Sequence, residues 1–122
     1  MTEFVEVNTQ ELSGSALDWA VAKAADEQVT VMPGMEWKSQ LVWTAGSFNR
    51  YSPTTDWSRC GPLIAKIKIG FGPVRSGWVA HPHRPNAPTE WLNADEPLVA
   101  ICRAIVADKL GMVVSVPKEL MP

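Results

Sequence analysis

The chain has 122 residues, is 46% hydrophobic and 20% charged, and carries a formal net charge of −2. That size and apolar content suit one domain with a real core and exclude a disordered chain. No apolar run approaches the roughly 20 residues that span a bilayer, and the first ten residues hold two acids and no base, the wrong charge for a secretory leader, so a cytoplasmic protein is expected.

The first predicted helix runs from about Thr9 to Ala25. Asn8 is placed to cap it, with Glu11 completing a capping box. Leu12, Ala16, Trp19, Ala20 and Ala24 recur at helical spacing. Residues 28–32 alternate and are β-branched, which predicts a strand. Pro33-Gly34 predicts a turn, and a second short strand falls within 36–43. Residues 45–50 read as loop.

Next comes Tyr51-Ser52-Pro53-Thr54-Thr55-Asp56-Trp57, whose Ser/Thr-Pro-Asp chemistry predicts a helix start. Gly61-Pro62 should break that helix, because an interior proline costs about 3 kcal/mol or more. One turn is therefore expected at 54–59 and a restart at Pro62 running to about Lys68. Residues 69–74 and 78–81 predict two strands joined by Arg75-Ser76-Gly77. The proline-rich stretch that follows, ending near Trp91, reads as loop. The last helix is the clearest: Asp95 as cap, Pro97 in the first turn, an apolar stripe through Leu98, Ile101, Cys102, Ile105, Val106 and Leu110, and Gly111 as stop. Residues 112–116 predict a closing strand. The expected class is α+β: one domain, 1–122, with a mainly antiparallel sheet packed against three helices.

Enzyme signatures are scarce. Gly70-Phe71-Gly72-Pro73 is neither a dinucleotide fingerprint nor a P-loop, and no zinc-protease or nucleophile-elbow motif occurs. His81 and His83 share a face if they lie on a strand, but Cys60 and Cys102 fall on separate predicted helices, so neither a metal nor a cofactor is expected. The two cysteines read as buried thiols, not a disulfide. Six tryptophans outnumber three Phe and one Tyr together; most are expected in the core.

Charge is uneven. No acid lies between Asp56 and Glu90, an interval that holds Arg59, Lys66, Lys68, Arg75 and Arg84. Such a segment attracts anions where the fold gathers it on one face, and otherwise it is only a solvated surface. The candidate ligand-binding residues are accordingly Arg50, Tyr51, Ser52, Thr55, Asp56 and Arg59, where hydroxyls and backbone N–H groups at a helix start could hold an anion such as a nucleotide. The alternative is that they cap the helix and nothing more.

Several segments carry a resemblance. Glu11-Leu12-Ser13-Gly14, Ala16-Leu17-Asp18-Trp19-Ala20-Val21-Ala22, Tyr51-Ser52-Pro53, Thr55-Asp56-Trp57, Gly61-Pro62-Leu63-Ile64, residues 100–107 and Lys109-Leu110-Gly111 resemble the NinX-like family of small proteins of tailed phages and prophages. The resemblance spans nearly the whole chain, loosely over 28–50 and 69–93. It implies a prophage origin and an α-β-α sandwich-like arrangement, with a sheet between helical layers. It implies no reaction, and it argues against a redox or metal role for Cys60, where the family commonly has glycine.

Three functions compete at this point. The first is a non-enzymatic accessory module that binds a host or phage protein, a second copy of the chain being one such partner. The second is a binder of a small anionic ligand at 52–56. The third is a hydrolase using Asp56 with His81 or His83 as its acid–base pair. Neither a membrane nor a nucleic acid is an expected partner.

Overall fold

The computed structural model describes residues 3–33, 40–44, 51–82 and 91–121. In chain order they form β1 (Phe4–Asn8), a 3₁₀ turn (Thr9–Glu11), α1 (Gly14–Ala24), β2 (Val29–Pro33), β3 (Gln40–Thr44), α2 (Trp57–Ile67), β4 (Ile69–Val74), β5 (Gly77–Pro82), β6 (Leu92–Ala94), α3 (Pro97–Leu110), β7 (Val113–Pro117) and a second 3₁₀ turn (Lys118–Leu120). Every strand pairing is antiparallel. The strands divide among a β1–β7 ribbon, a β2–β3 hairpin and a β4–β5–β6 sheet. The α+β class read from the sequence is the class observed.

At the centre lies α3. Leu98, Ala100, Ile101, Cys102, Ala104, Ile105, Val106 and Ala107 are all buried. Those positions cover most of the helix and leave one narrow side, that of Val99, Arg103 and Leu110, less buried. It packs against α1, α2 and all three strands of the β4–β5–β6 sheet. Ala16 and Ala20 of α1 are buried too, and small residues on both helices allow a close approach. The sheet supplies Ile69, Ala80 and Leu92 to the same core.

Several boundaries differ from the sequence reading. Asn8 does cap, its Oδ1 accepting from the Gln10 N–H at 2.9 Å, but what it caps is the single 3₁₀ turn. The chain then turns at Gly14, whose φ of 57° suits glycine, and the long first helix is split there. Buried Thr9 ties this corner to the end of α3: its Oγ1 donates to the Gly111 carbonyl at 2.7 Å and its N–H to the Met112 carbonyl at 2.8 Å. The expected break at Gly61-Pro62 is absent, and α2 is continuous. Gly61 has no Cβ to collide with the proline ring, and Pro62 and Ser58 face solvent, where water can satisfy the carbonyl that the proline leaves unbonded. The cap of α3 is Glu96, not Asp95. Two strands, β1 and β6, were not anticipated.

The β4–β5 turn is Arg75-Ser76, since Val74 pairs with Gly77. Gly77 itself is locked in place. Its φ is 149°, and an added Cβ would lie 2.4 Å from the Ala94 carbonyl oxygen. The tryptophans also depart from expectation: Trp19 and Trp78 are half-buried, and Trp57 and Trp91 are exposed, while the side chains of Trp37 and Trp43 lie outside the described residues. No described helix is long and apolar enough to cross a membrane.

Because Ile101 and Ile105 are completely enclosed, Ile101→Ala or Ile105→Ala is expected to cost about 2–5 kcal/mol in denaturant unfolding. A loss below about 1 kcal/mol at either position would contradict α3 as the centre of the core.

Candidate functional site

The stretch 51–57 folds from the inside outward. The Tyr51 N–H donates to the Val42 carbonyl of β3 at 2.8 Å, and the tyrosine ring is buried. Pro53 and Thr54 follow it into the interior. There the Thr54 N–H donates to Oδ1 of Asp18, at 3.0 Å. Asp18 is itself buried on α1, where a carboxyl group is stable only if hydrogen-bonded. This contact tethers the segment before α2 to α1.

The chain then turns outward. The Thr55 N–H and Oγ1 both donate to the Ser52 carbonyl, at 3.0 and 3.4 Å. Asp56 becomes the N-cap of α2: its Oδ1 accepts from the Ser58 N–H at 2.9 Å and from the Ser58 hydroxyl at 2.6 Å. Those two bonds, the hydroxyl's first, hold the Asp56 carboxyl below its ordinary value of 3.8, with Arg59 adding a smaller pull. Arg59 lies over the Tyr51 ring, 6.0 Å from its centroid, a cation–π distance. Burial pushes the Tyr51 hydroxyl well above its usual range, Glu27 and Cys102 add to that, and Arg59 opposes it.

Of the candidate residues, then, Tyr51 and Arg59 are brought together and Asp56 stands at the same helix start. Ser52 is buried, Thr55 is exposed, and Arg50 lies outside the described residues. His81 stacks on Trp91 with ring centroids 4.9 Å apart. It belongs to the sheet face opposite that of Phe71, which pairs with Ala80. Asp56 adjoins Trp57, which packs on Phe71, so Asp56 and His81 do not form one site. His83 lies outside the described residues. Among the described residues no cluster of three or more metal-binding side chains occurs.

Two features escaped the sequence reading. One is Asp18, a single acid inside the apolar run Ala16-Leu17-Asp18-Trp19-Ala20; its position in that run was the available signal. The other is a row of rings. Trp57 opens α2, with Phe71 on β4 at 6.3 Å and Trp78 on β5 a further 6.4 Å along. Trp57 is 51% and Phe71 40% exposed, and Val74 beside the hairpin turn is 42% exposed. Trp57, the first residue of α2, lies over Phe71 of β4.

The tether, the cap and the row all fall inside a span that matches a known family: the family model described as Bacteriophage P22, NinX, matches residues 8–109. The chain belongs to this NinX family. A search of curated proteins gives no match. The NinX match begins at the Asn8 cap and ends in the last turn of α3. It contains α1, α2, α3 and β2–β6, and it leaves out β7 and all of β1 except Asn8.

Two predictions follow the geometry of this NinX segment. Asp18→Ala leaves the buried Thr54 N–H without its acceptor and is expected to cost at least about 1–3 kcal/mol, while Asp18→Asn keeps an acceptor oxygen and costs less. Equal losses for the two variants in denaturant unfolding would contradict the tether. The folded Asp56 carboxyl has a lowered pKa, so its contribution is complete above the unfolded value and disappears as pH falls through the folded one. Asp56→Asn should therefore lower Tm slightly at neutral pH, and the gap to the native protein should close in acid; a gap that stays constant with pH would contradict the cap's charge dependence.

Proposed function

We propose that this NinX-family phage protein is a non-enzymatic accessory module, and that it acts in the host cytoplasm by binding a host or phage protein through the row Trp57, Phe71 and Trp78. The carrying observation is three rings in contact, two of them largely exposed. Exposed aromatic clusters are unusual on monomer surfaces and mark interaction sites. Buried at an interface, rings of this kind supply much of the binding energy.

The elements that carry the row have one sign of charge. From Trp57 to Pro82, spanning α2, β4 and β5, the bases are Arg59, Lys66, Lys68 and Arg75 and there is no acid. This favours a partner with an acidic surface around an apolar centre. The acidic balance of the whole chain, with a pI of about 5.6, argues against nucleic acid, whose binders are strongly basic.

The alternative, a small anion at 52–56, has less support. The Thr54, Thr55 and Ser58 N–H groups already donate to Asp18, Ser52 and Asp56, which leaves fewer donors for a ligand at that helix start.

The test is capture of a partner from lysate of phage-infected cells, with cross-links mapped on the protein. Trp57→Ala with Phe71→Ala should reduce capture tenfold or more, about 1.4 kcal/mol or greater, with stability within about 0.5 kcal/mol of native. Trp91→Ala, on the other sheet face, should leave capture intact. Undiminished capture by the double variant would overturn the proposal. Cross-links to a second copy of the chain would make that copy the partner.

A further inference from the structure

Cys60 of α2 and Cys102 of α3 are free and completely buried, and their sulfurs lie 4.0 Å apart. A disulfide requires about 2.05 Å, so closure needs a relative movement of only about 2 Å. The two helices differ in their freedom to make it. Eight of the fourteen residues of α3 are buried. In α2 Cys60 is the one buried residue, and Leu63, Ile64 and Ile67 are half-buried. Moreover, α2 ends at Lys68, which stops the helix in a left-handed conformation with φ 65°. Local opening of such a lightly packed element admits small solutes.

We propose that Cys60 and Cys102 are a reactive dithiol that a hydroperoxide closes into a disulfide, clipping α2 to α3. Cys60 is the attacking thiol. It lies within the first turns of α2, its N–H bonded to the Asp56 carbonyl at 3.1 Å, and the positive end of the helix favours a thiolate there. The two sulfurs are in hydrogen-bond contact; that contact draws Cys60 down, while the same contact and burial push Cys102 up.

In the first step the Cys60 sulfur attacks one peroxide oxygen. The O–O bond breaks, Cys60 becomes a sulfenic acid, and the other oxygen leaves as water or alcohol with the thiol proton. In the second, the Cys102 sulfur attacks the Cys60 sulfur. The S–S bond forms, the S–O bond breaks, and water leaves with the Cys102 proton. Two electrons pass from the sulfurs to the peroxide, and nothing else is consumed. This reverses the expectation drawn from sequence, in which Cys60 has no redox role: the fold brings two separate helices together at their thiols.

The experiment exposes the reduced, full-length protein to hydrogen peroxide without denaturant and reads intact mass and an unreduced peptide map. The expected result is loss of the mass of two hydrogens, a single linked peptide pair containing Cys60 and Cys102, full reversal by dithiothreitol, and a raised Tm. In Cys102→Ala, Cys60 should instead be trapped by dimedone as a sulfenic acid; the native peptide map decides the case if that variant does not fold. Retention of both thiols, successive addition of oxygen atoms, linkage between two chains, or closure only in denaturant would each overturn the proposal. None of these readouts depends on the aromatic row being a docking surface.

Discussion

A helix with eight of its fourteen residues buried cannot be left against water over most of its surface, and α3 is such a helix. The rest of the fold can be understood as its enclosure. The β4–β5–β6 sheet covers it with Ile69, Ala80 and Leu92; α1 and α2 cover it elsewhere. Strands β4, β5 and β6, short enough to be marginal alone, are stabilised by having this one common neighbour. Arg103 belongs to the same arrangement. It projects from α3 and donates from Nε to the Leu12 carbonyl at 2.9 Å and from its guanidinium to the Asn93 carbonyl, joining α3 to the turn before α1 and to β6.

What could be read from the sequence was what depends on neighbours within a few residues. The stripe of α3 as far as Val106, its stop at Gly111, the β4–β5 hairpin and the helix start near Asp56 all follow from local spacing, and each is present; Leu110, expected in the stripe, is exposed. The failures share a different character. The strand Phe4–Asn8 exists because β7, more than a hundred residues away, accepts it in register. The continuity of α2 through Pro62 depends on which side of the helix meets solvent, and β6 depends on residues 78–80 of β5, with which it pairs. Long-range packing overrode local preference at each of these places.

The candidate site divides along the same line. Caps are local, so Asp56 was recognisable. Asp18 was hidden, because an isolated acid in a helix reads as a solvent-facing residue until the fold shows the backbone N–H it answers. Tryptophan is ambiguous in sequence because an indole suits a core and an interface equally; only the pairing of β4 with β5 and the position of α2 decide that Trp57, Phe71 and Trp78 form a row. The buried tether at Thr54 and the first ring of the row, Trp57, lie three residues apart in one short segment, 51–57. A change that loosens the first therefore displaces the second.

The β1–β7 ribbon bears on how the chain folds. Phe4 pairs with Pro117, and the Lys118 N–H donates to the Glu3 carbonyl at 2.8 Å, so the two ends of the described chain lie side by side. These are contacts of nearly maximal sequence separation, and the loop-closure entropy opposing them is correspondingly large. The ribbon is thus the natural last element to zip, after α3 has gathered its neighbours. The same adjacency makes the topology of the described residues almost circular: a short linker from Lys118 to Glu3 would turn contacts between the most distant parts of the sequence into local ones while leaving the packing around α3 unchanged.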